Sequence, residues 1–527
     1  MQRRHFLKLA AAASLTGCEL RLPWQGPPVT VLRPGMAAGH ALRDGLPAPD
    51  PAREREVEVA ILGSGVAGLF AGWRLAQQGY RNFCVLAGPE PQGNAAGSTL
   101  GGIPCPRGAH YLPLPSLEST HVRELLAAFG VLRGNPSSAR PEFDENVLVH
   151  APEERLFIHG AWQEGLLPQH GLSAEALAQI AHFTARMQAL REARGADGRR
   201  AFVMPLALSS QDPAWRALAK ETFASWLTRE GFTAEPLRWY VNYCCRDDYG
   251  AGIEQVSAWA GIHYFASRGG HAANGEDGAV LTWPDGLATL TRQMGAAIGA
   301  ERLLPGMALR VTPHGAGVEV LCLNGAEAFR LRAKRVVLAM PLHVAARVLD
   351  LAEFGFDKAR DLPQSASWLV SNFLLDGFPR EVSEDHPLAW DNLRYGGDTL
   401  GWVVATHQWI RAARPAQTVF SAYHALPPAT GRLWLQNAPQ DELLELAGRD
   451  LRATYGRDFE RRIQQVELTL RGHAMAIPAP GFLQRPGIAA LRAADQRILF
   501  AHADLSGLSV FEEAAWWGEQ AAHKILT

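Results

Sequence analysis

The sequence predicts an α/β protein in which a Rossmann-like dinucleotide-binding domain is interleaved with a second domain of mixed β-sheet and helices. Two observations carry this prediction. An apolar run at residues 57–62 leads into a glycine-rich turn at residues 63–68, and a helical pattern (66–78) and a second apolar run (83–86) follow. Strand-like and helical stretches then alternate to the end of the chain, whose 527 residues exceed one ordinary core.

The glycine-rich turn has the spacing of a dinucleotide fingerprint. Gly63 permits the tight turn, Gly65 lets backbone N–H groups approach a pyrophosphate, and Gly68 allows the helix to pack closely on the strand. The first N–H groups of the helix have no partner within it, so they offer partial positive charge to phosphates. The residues predicted to bind the dinucleotide here are Gly63, Ser64, Gly65, Val66, Ala67 and Gly68.

Composition and charge exclude several classes of protein. Hydrophobic residues make up 47% of the chain and charged residues 20%, as in ordinary globular proteins. The formal net charge of −2 provides no electrostatic footprint for nucleic acid. The 18 histidines show no metal-binding spacing, and the cysteines show neither a disulfide framework nor a zinc pattern. We therefore expect a small-molecule substrate, no nucleic-acid partner and no bound metal.

The amino terminus carries an export signal. Arg3 and Arg4 precede Phe-Leu-Lys and a short Ala-rich apolar region, which is typical of a twin-arginine signal. The Leu-Thr-Gly-Cys sequence ending at Cys18 resembles a bacterial lipobox, which implies cleavage before Cys18 and lipid attachment to its thiol. An ordinary cleaved signal is the alternative. A cofactor bound before export favours the twin-arginine route, because that route transports folded proteins. We expect a periplasmic protein held at a membrane by its lipid anchor alone.

The alternation of patterns divides the chain into seven segments. Some belong to the dinucleotide-binding domain and the others to the second, substrate-binding domain. The predicted segments are 1–18 (twin-arginine lipoprotein signal), 19–56 (tether ending in a short docking segment), 57–150 (dinucleotide-binding domain, first part), 151–275 (helical part of the substrate domain), 276–349 (dinucleotide-binding domain, second part), 350–470 (substrate domain, second part) and 471–527 (dinucleotide-binding domain, third part).

Four separated segments are similar, in the same order, to one known family. They are residues 57–86, residues 106–111 with the sequence Pro-Arg-Gly-Ala-His-Tyr, residues 335–342 and residues 497–525. They resemble the flavin-containing amine oxidoreductases, a family that includes monoamine and polyamine oxidases and is related to protoporphyrinogen oxidases and phytoene desaturases. The resemblance spans nearly the whole chain after the signal. It implies that the dinucleotide is FAD.

The resemblance also implies which further residues contact FAD. The family holds the flavin ring and ribityl chain in its carboxyl-terminal block, where an apolar strand here leads to Asp504 and then to a helix starting near Ser509. Asp504 can bond a ribityl hydroxyl or act as a turn or cap residue. The additional residues assigned to the cofactor are Asn94, Arg107, Gly108, Ala109, His110, Asp504, Val510 and Phe511.

The chain departs from the family pattern around the second strand. The family ends that strand with a glutamate for the ribose, whereas this chain has Ala87, and Glu90 is the nearest substitute. The family's Gly-Gly-Arg appears here as Gly-Asn-Ala at residues 93–95, so a pyrophosphate-binding arginine is missing. Arg107 can supply that charge, or it can form a salt bridge instead.

Further departures concern the chemistry. Amine oxidases commonly carry a lysine near flavin N5, and the matching strand at residues 367–373 has none, so we expect a dehydrogenase more than an oxidase. The usual aromatic cage is not supported at Val510. His473 is the candidate proton acceptor, with a histidine bonded in the domain interface as the alternative. Residues 246–249, Arg-Asp-Asp-Tyr, can line a polar entrance or form a solvated loop that caps the next helix.

The sequence thus predicts an FAD-dependent oxidoreductase that transfers hydride from a small organic substrate, with an amine favoured, to flavin N5. Its electron acceptor is not identified by any motif. Two other functions stay open. One is a desaturase or isomerase that acts on an apolar polyene or tetrapyrrole. The other is a degenerate protein that binds FAD without turnover.

Overall fold

The computed structural model describes residues 26–45, 49–383, 385–494 and 496–527. They form 21 strands and 16 α-helices, and the predicted α/β fold class is confirmed. The strands are β1 Val29–Leu32, β2 Arg53–Leu62, β3 Phe83–Leu86, β4 Gly97–Leu100, β5 Ile103–Pro106, β6 Tyr111–Pro113, β7 Leu132–Arg133, β8 Glu142–Phe143, β9 Glu154–Ile158, β10 Ala161–Glu164, β11 Val280–Thr282, β12 Leu303–Leu304, β13 Met307–His314, β14 Gly317–Asn324, β15 Glu327–Leu338, β16 Ser365–Asp376, β17 Asp391–Arg394, β18 Trp402–Val404, β19 Gln417–Leu426, β20 Ile463–Ala476 and β21 Ile498–Phe500.

The helices cover both faces of the main sheets. They are α1 Met36–Arg43, α2 Val66–Gln77, α3 Thr120–Ala128, α4 Ala174–Glu192, α5 Pro213–Ala217, α6 Phe223–Arg229, α7 Glu235–Tyr249, α8 Ala258–Ala266, α9 Ala288–Ile298, α10 Leu342–Val348, α11 Lys358–Asp361, α12 Gly431–Asn437, α13 Gln440–Tyr455, α14 Arg457–Arg462, α15 Pro486–Ala493 and α16 Phe511–Leu526.

A seven-stranded sheet forms the first domain. Its order is β12-β3-β2-β15-β14-β13, and β21 pairs with the carboxyl end of β15. Strands β12, β3, β2, β15 and β21 are parallel, so their carboxyl ends share one edge of the sheet. The turns that follow β2, β15 and β21 therefore meet there, where Ala339 N–H bonds the Leu62 carbonyl oxygen at 2.9 Å.

An eight-stranded sheet, ordered β1-β20-β16-β19-β18-β17-β9-β10, forms the second domain. Successive side chains of a strand point to opposite faces, and β16 shows this clearly. Val370 joins the apolar cluster of the helical layer α4–α8, whereas Leu369 and Phe373 join the cluster beneath α13 and α14. The sheet is thus covered by helices on both faces.

Several segment boundaries differ from the predicted ones. Within the predicted tether, Val29–Leu32 forms β1, which pairs in parallel with β20, and the chain then forms α1. The predicted boundary between 470 and 471 falls inside β20, because that strand extends from one domain sheet toward the cofactor loops. The last helix, expected to start near Ser509, begins at Phe511.

The amino-terminal signal, including Cys18, lies outside the described residues. Among the described residues, no helix is both long and apolar enough to cross a bilayer. The five cysteines within them are buried and not joined in disulfides. The same residues contain no cluster of three or more His, Cys, Asp or Glu side chains that could hold a metal ion.

Candidate cofactor and substrate site

The turn after β2 has the geometry of a phosphate-binding loop. Gly63 has φ +119°, and a Cβ there would overlap the Ala339 carbonyl oxygen. A Cβ on Gly68 would overlap the carbonyl oxygen of Gly63. A Cβ on Gly65, in contrast, would meet no protein atom within 4 Å. Packing therefore explains two of the three glycines, and the open space beside Gly65 fits a bound pyrophosphate.

The residues between these glycines hold the turn in place. Ser64 donates its hydroxyl proton to the Ala87 carbonyl oxygen at 2.7 Å, which ties the end of β2 to the end of β3. Ala67 is buried beside Gly518 of α16, so its side chain serves packing. Val66 begins α2, and the amide groups of this first turn have no partner within the helix. The loop thus offers backbone N–H groups, and not side chains, to a phosphate.

Asn94 links three parts of the site. Its amide nitrogen donates to the Ala474 carbonyl oxygen of β20 at 2.5 Å, and its own carbonyl oxygen accepts the Ala109 N–H at 2.9 Å. A Cβ on Gly108 would overlap that same Asn94 carbonyl oxygen. Asn94, Gly108 and Ala109 are therefore brought together as predicted, but through contacts with each other and with the second domain.

The two charged substitutes considered in the sequence have other partners. The Arg107 guanidinium donates to the buried Glu467 carboxylate at 3.1 and 2.9 Å. Glu90 accepts two hydrogen bonds from Arg471 of β20, at 2.9 and 2.7 Å. Of the two alternatives for Arg107, the structure therefore shows the salt bridge. Arg471 was not singled out from the sequence, because only the tertiary fold brings β20 to this loop.

Asp504 is fixed at the carboxyl edge of the first sheet. Its carboxylate accepts the Leu342 N–H at 2.9 Å, and its backbone N–H donates to His502 Nδ1 at 3.1 Å. Burial alone would raise the pKa of Asp504, but His502 and the Leu342 N–H lower it to about 2. Val510 is half-buried just before α16, and Phe511 packs in the core. Asp504 is thus ionised, and Phe511 has a packing role.

His473 lies at the surface of the domain interface. Its Nδ1 is 2.7 Å from the Ser365 hydroxyl, and Arg432 donates to its Nε2 at 3.2 Å. The ring stacks on His343 with centroids 4.2 Å apart. Partial desolvation, His343 and Arg432 lower the pKa of His473 to about 4. His473 is therefore neutral at neutral pH, and both of its ring nitrogens form hydrogen bonds. This fits the alternative interpretation, in which it is a histidine bonded in the domain interface.

An aromatic cavity begins at the turn that follows Ala109. His110 stacks on Tyr423 with centroids 4.4 Å apart, and Trp390 lies 5.8 Å from His110 and 6.2 Å from Tyr111. Burial lowers the pKa of His110 to about 3, so its ring is neutral. These rings come from both domains. The cavity therefore lies between the turn at residues 107–109, which we call the cofactor turn, and the eight-stranded sheet.

Acidic groups of α7 lie beside these rings. The Tyr111 hydroxyl donates to Asp247 at 3.1 Å, and Arg268 donates to Asp248 at 2.6 Å. Burial, with the neighbouring Asp248, raises the pKa of Asp247 to about 7. Residues 246–249 thus lie on a helix and not in a solvated loop. The interpretation as a solvated loop is therefore wrong, and the interpretation as a polar entrance stays a prediction.

Two further carboxylates come from the neighbouring strands β9 and β17. Glu154 and Asp391 are partners in the register of these parallel strands. Burial is the main cause that raises the pKa of Glu154 to about 7. Burial likewise raises the pKa of Asp391 well above its usual range, and the negative charge of Asp247 adds to both shifts. Carboxylates thus lie beside the aromatic rings. Glu154 is the first residue of β9, and no sequence motif distinguishes it.

Comparisons with known proteins agree with this architecture. A model of the flavin-containing amine oxidoreductase family matches residues 66–526. No curated protein shows significant similarity to the chain. Wild-type putrescine oxidase bound to putrescine is a similar solved structure, with a TM-score of 0.64 and 16% identity, covering 90% of this chain and 99% of that chain.

Two other solved structures show the same fold. Cyclohexylamine oxidase from Brevibacterium oxydans IH-35A has a TM-score of 0.62 and 18% identity, covering 89% of this chain and 99% of its own. A CLA-producing fatty acid isomerase from P. acnes has a TM-score of 0.58 and 14% identity, with the same coverage. At these identities the structural likeness establishes the fold alone.

Proposed function

The chain belongs to the flavin-containing amine oxidoreductase family, and on that premise we propose that it is a dehydrogenase that oxidises an organic amine. FAD is its cofactor, as the sequence resemblance implied. The observation that best supports an amine substrate is the group of carboxylates and aromatic rings beside the cofactor turn. Both the sign of its charge and the nature of its walls favour a cation.

The cavity walls suit a protonated amine for two reasons. Aromatic faces attract cations, and Trp390, Tyr111 and Tyr423 surround the cavity. Buried carboxylates are costly unless a positive charge compensates them, and the charge of Asp247 raises the pKa of both Glu154 and Asp391. A bound ammonium group supplies that charge. An anionic fatty acid or an apolar polyene would leave these carboxylates uncompensated, so the cavity does not favour the isomerase and desaturase alternatives.

The residues of the first domain fit FAD. The backbone of residues 63–68 would hold the pyrophosphate in the open space beside Gly65, and Asp504 would face the ribityl chain from the carboxyl edge of the sheet. FAD supplies the acceptor for the hydride that the substrate carbon loses. The cavity residues bind and orient the substrate and exclude water, which aligns its C–H bond with the cofactor.

A dehydrogenase is favoured over an oxidase because the strand expected near flavin N5 offers no lysine. Residues 367–373 lie in β16 and are buried, and none of them is charged. The electrons would then pass to an acceptor other than dioxygen. We also propose that the chain is exported by the twin-arginine route and anchored through Cys18, which supports a periplasmic acceptor.

The decisive experiment is anaerobic reduction of the flavin by a panel of amines. The full chain carrying Cys18→Ala is mixed with mono-, di- and polyamines, with alcohols of the same shape as neutral controls. We expect a flavin spectrum that bleaches with one class of amine and not with its alcohol counterpart. A flavin that no amine bleaches would contradict the proposed function and favour the polyene or degenerate alternatives.

A variant pair tests whether the cavity charge recognises the amine. Glu154→Gln removes a cavity carboxylate, and we expect about a tenfold higher amine concentration for half-maximal reduction, which corresponds to ~1.4 kcal/mol. Glu142→Gln is the matched control, because this exposed carboxylate pairs with Arg133 and is not among the charges that act on Glu154. An equal effect of both variants would show that the cavity charge does not select the substrate.

A further inference from the structure

Asp247 occupies a special position among the cavity carboxylates. It lies near the end of α7 and accepts a hydrogen bond at 3.1 Å from Tyr111. Tyr111 stands two residues after Ala109, the last residue of the cofactor turn. Through this contact the carboxylate is held next to the part of the cavity that borders the cofactor site. Glu154 and Asp391 lie on the strands β9 and β17 of the other domain.

The charge of Asp247 is only partly compensated by its neighbours. Its neighbour Asp248 is paired with Arg268 at 2.6 Å, and the Arg268 guanidinium also covers the Tyr264 ring at 3.8 Å. Arg268 thus forms its ion pair with Asp248. For Asp247, the Tyr111 hydroxyl is the hydrogen-bond donor that the structure shows.

A second observation points to a ligand at the same place. The Tyr423 hydroxyl belongs to a side chain that is 3% exposed, and it has no hydrogen-bond partner among the residues that the structure describes. The charges of Asp247 and Asp391 both act on this hydroxyl, and its ring stacks on His110. A buried polar group without a partner is costly, so a polar ligand in the cavity would relieve the cost.

We propose that Asp247 is the proton acceptor for the substrate's ammonium group. This inference rests on the proposed function. The N–H bond of the ammonium breaks and an O–H bond forms on the Asp247 carboxylate, which leaves a neutral amine with a lone pair on nitrogen. The carbon next to it then loses hydride to FAD, and the lone pair forms the C=N bond of an iminium product. One proton and one hydride leave the substrate, so atoms and electrons balance.

The electrostatic surroundings match this role. A proton acceptor works best when its pKa lies near the working pH, and that of Asp247 is about 7 because of burial and the negative charge of Asp248. Arg268 and the Tyr111 hydroxyl oppose the rise. The other titratable groups whose charges interact with Asp247 are Glu154, Asp391, Tyr243, Cys244 and Tyr423.

The test is the pH profile of anaerobic flavin reduction, measured as kcat/KM on the FAD-loaded full chain carrying Cys18→Ala. In the parent protein kcat/KM should rise with pH through about 7, where Asp247 loses its proton. In Asp247→Asn only the neutral amine reacts, so the rise should move toward the pKa of the free ammonium, ~10. At pH 7 about one amine molecule in 1,000 is neutral, so the variant should be slower by about 500-fold, and near pH 10 the difference should shrink.

Glu154→Gln is the matched control in the same cavity. It removes a negative charge that raises the pKa of its neighbours, so the rise should shift slightly to lower pH while KM increases. Opposite shifts for the two variants would support the proposal. An unchanged profile in Asp247→Asn would overturn it.

A second variant tests the proposal even if Asp247→Asn fails to fold. Tyr111→Phe removes the hydrogen bond that lowers the pKa of Asp247, so the rise should move to higher pH with Asp247 still present. No shift in Tyr111→Phe would also count against the proposal. If no amine reduces the flavin of the parent protein, the proposed function fails and this inference fails with it.

Discussion

Arg471 and Glu90 form a bidentate ion pair between the two domains, with nitrogen–oxygen distances of 2.9 and 2.7 Å. Arg471 also donates to the carbonyl oxygens of Arg107 and Gly93 and to the Asn94 side chain. All five guanidinium N–H groups are thus used. A strand of the substrate domain thereby fastens the loop at which the family's usual arginine is missing.

Arg471→Met should weaken FAD binding. The substitution frees the 90–94 loop, which lies against Gly65, and leaves the Glu90 carboxylate without its partner. We expect the FAD dissociation constant to rise about tenfold, measured by equilibrium dialysis and flavin fluorescence.

The control for Arg471→Met is Arg107→Met, which breaks the ion pair to Glu467 of the same strand. The Arg107 side chain bonds Glu467 and not the 90–94 loop, so FAD affinity should change by less than about threefold. Equal weakening in both variants would mean that any ion pair between the domains serves this purpose.

Gly65→Ala and Gly68→Ala should separate cofactor binding from folding. A Cβ on Gly65 meets no protein atom within 4 Å, so the variant should keep the thermal stability of the apoprotein and lose most of its FAD. A Cβ on Gly68 overlaps the Gly63 carbonyl oxygen, so that variant should lose both stability and FAD. Full retention of FAD in Gly65→Ala would show that no phosphate lies beside this glycine.

Asp504→Asn should cost stability in a way that depends on pH. The pKa of Asp504 is about 2 in the folded protein, below its ordinary value of 3.8, so its ionised form stabilises the fold above pH 3.8. This contribution, roughly 2 kcal/mol at pH 7, is lost as pH falls, about half of it by pH 3. Urea unfolding of both proteins at pH 7 and pH 3 measures it, and a difference that does not change with pH would contradict the assignment.

His473→Gln should leave the pH profile of flavin reduction unchanged. The pKa of His473 is about 4 because of partial desolvation, His343 and Arg432, so the ring is already neutral at pH 7. We expect a rate within about threefold of the parent at every pH between 6 and 10. Loss of the rise near pH 7 in this variant would restore His473 as the proton acceptor in place of Asp247.

Local sequence was sufficient to predict the cofactor-binding edge. Residues 57–86 form a strand, turn, helix and strand in direct succession, so the contacts that shape the turn lie within one short segment. Of the three glycines in the turn, Gly65 alone faces open space, which the spacing already indicated. The family resemblance added FAD, and three of its four segments contribute strands to one sheet.

The cavity could not be predicted in the same way, because its members are distant in the chain. Tyr111, Asp247 and Tyr423 meet only when a cofactor turn, a helix and a central strand of the second sheet pack together. Whether a carboxylate is solvated or buried beside other carboxylates depends on that packing, and so does its pKa. The sequence by itself determined the fold class, the family and the cofactor. The tertiary structure alone decided which charges face the substrate, since burial and pairing exist only once the two domains meet.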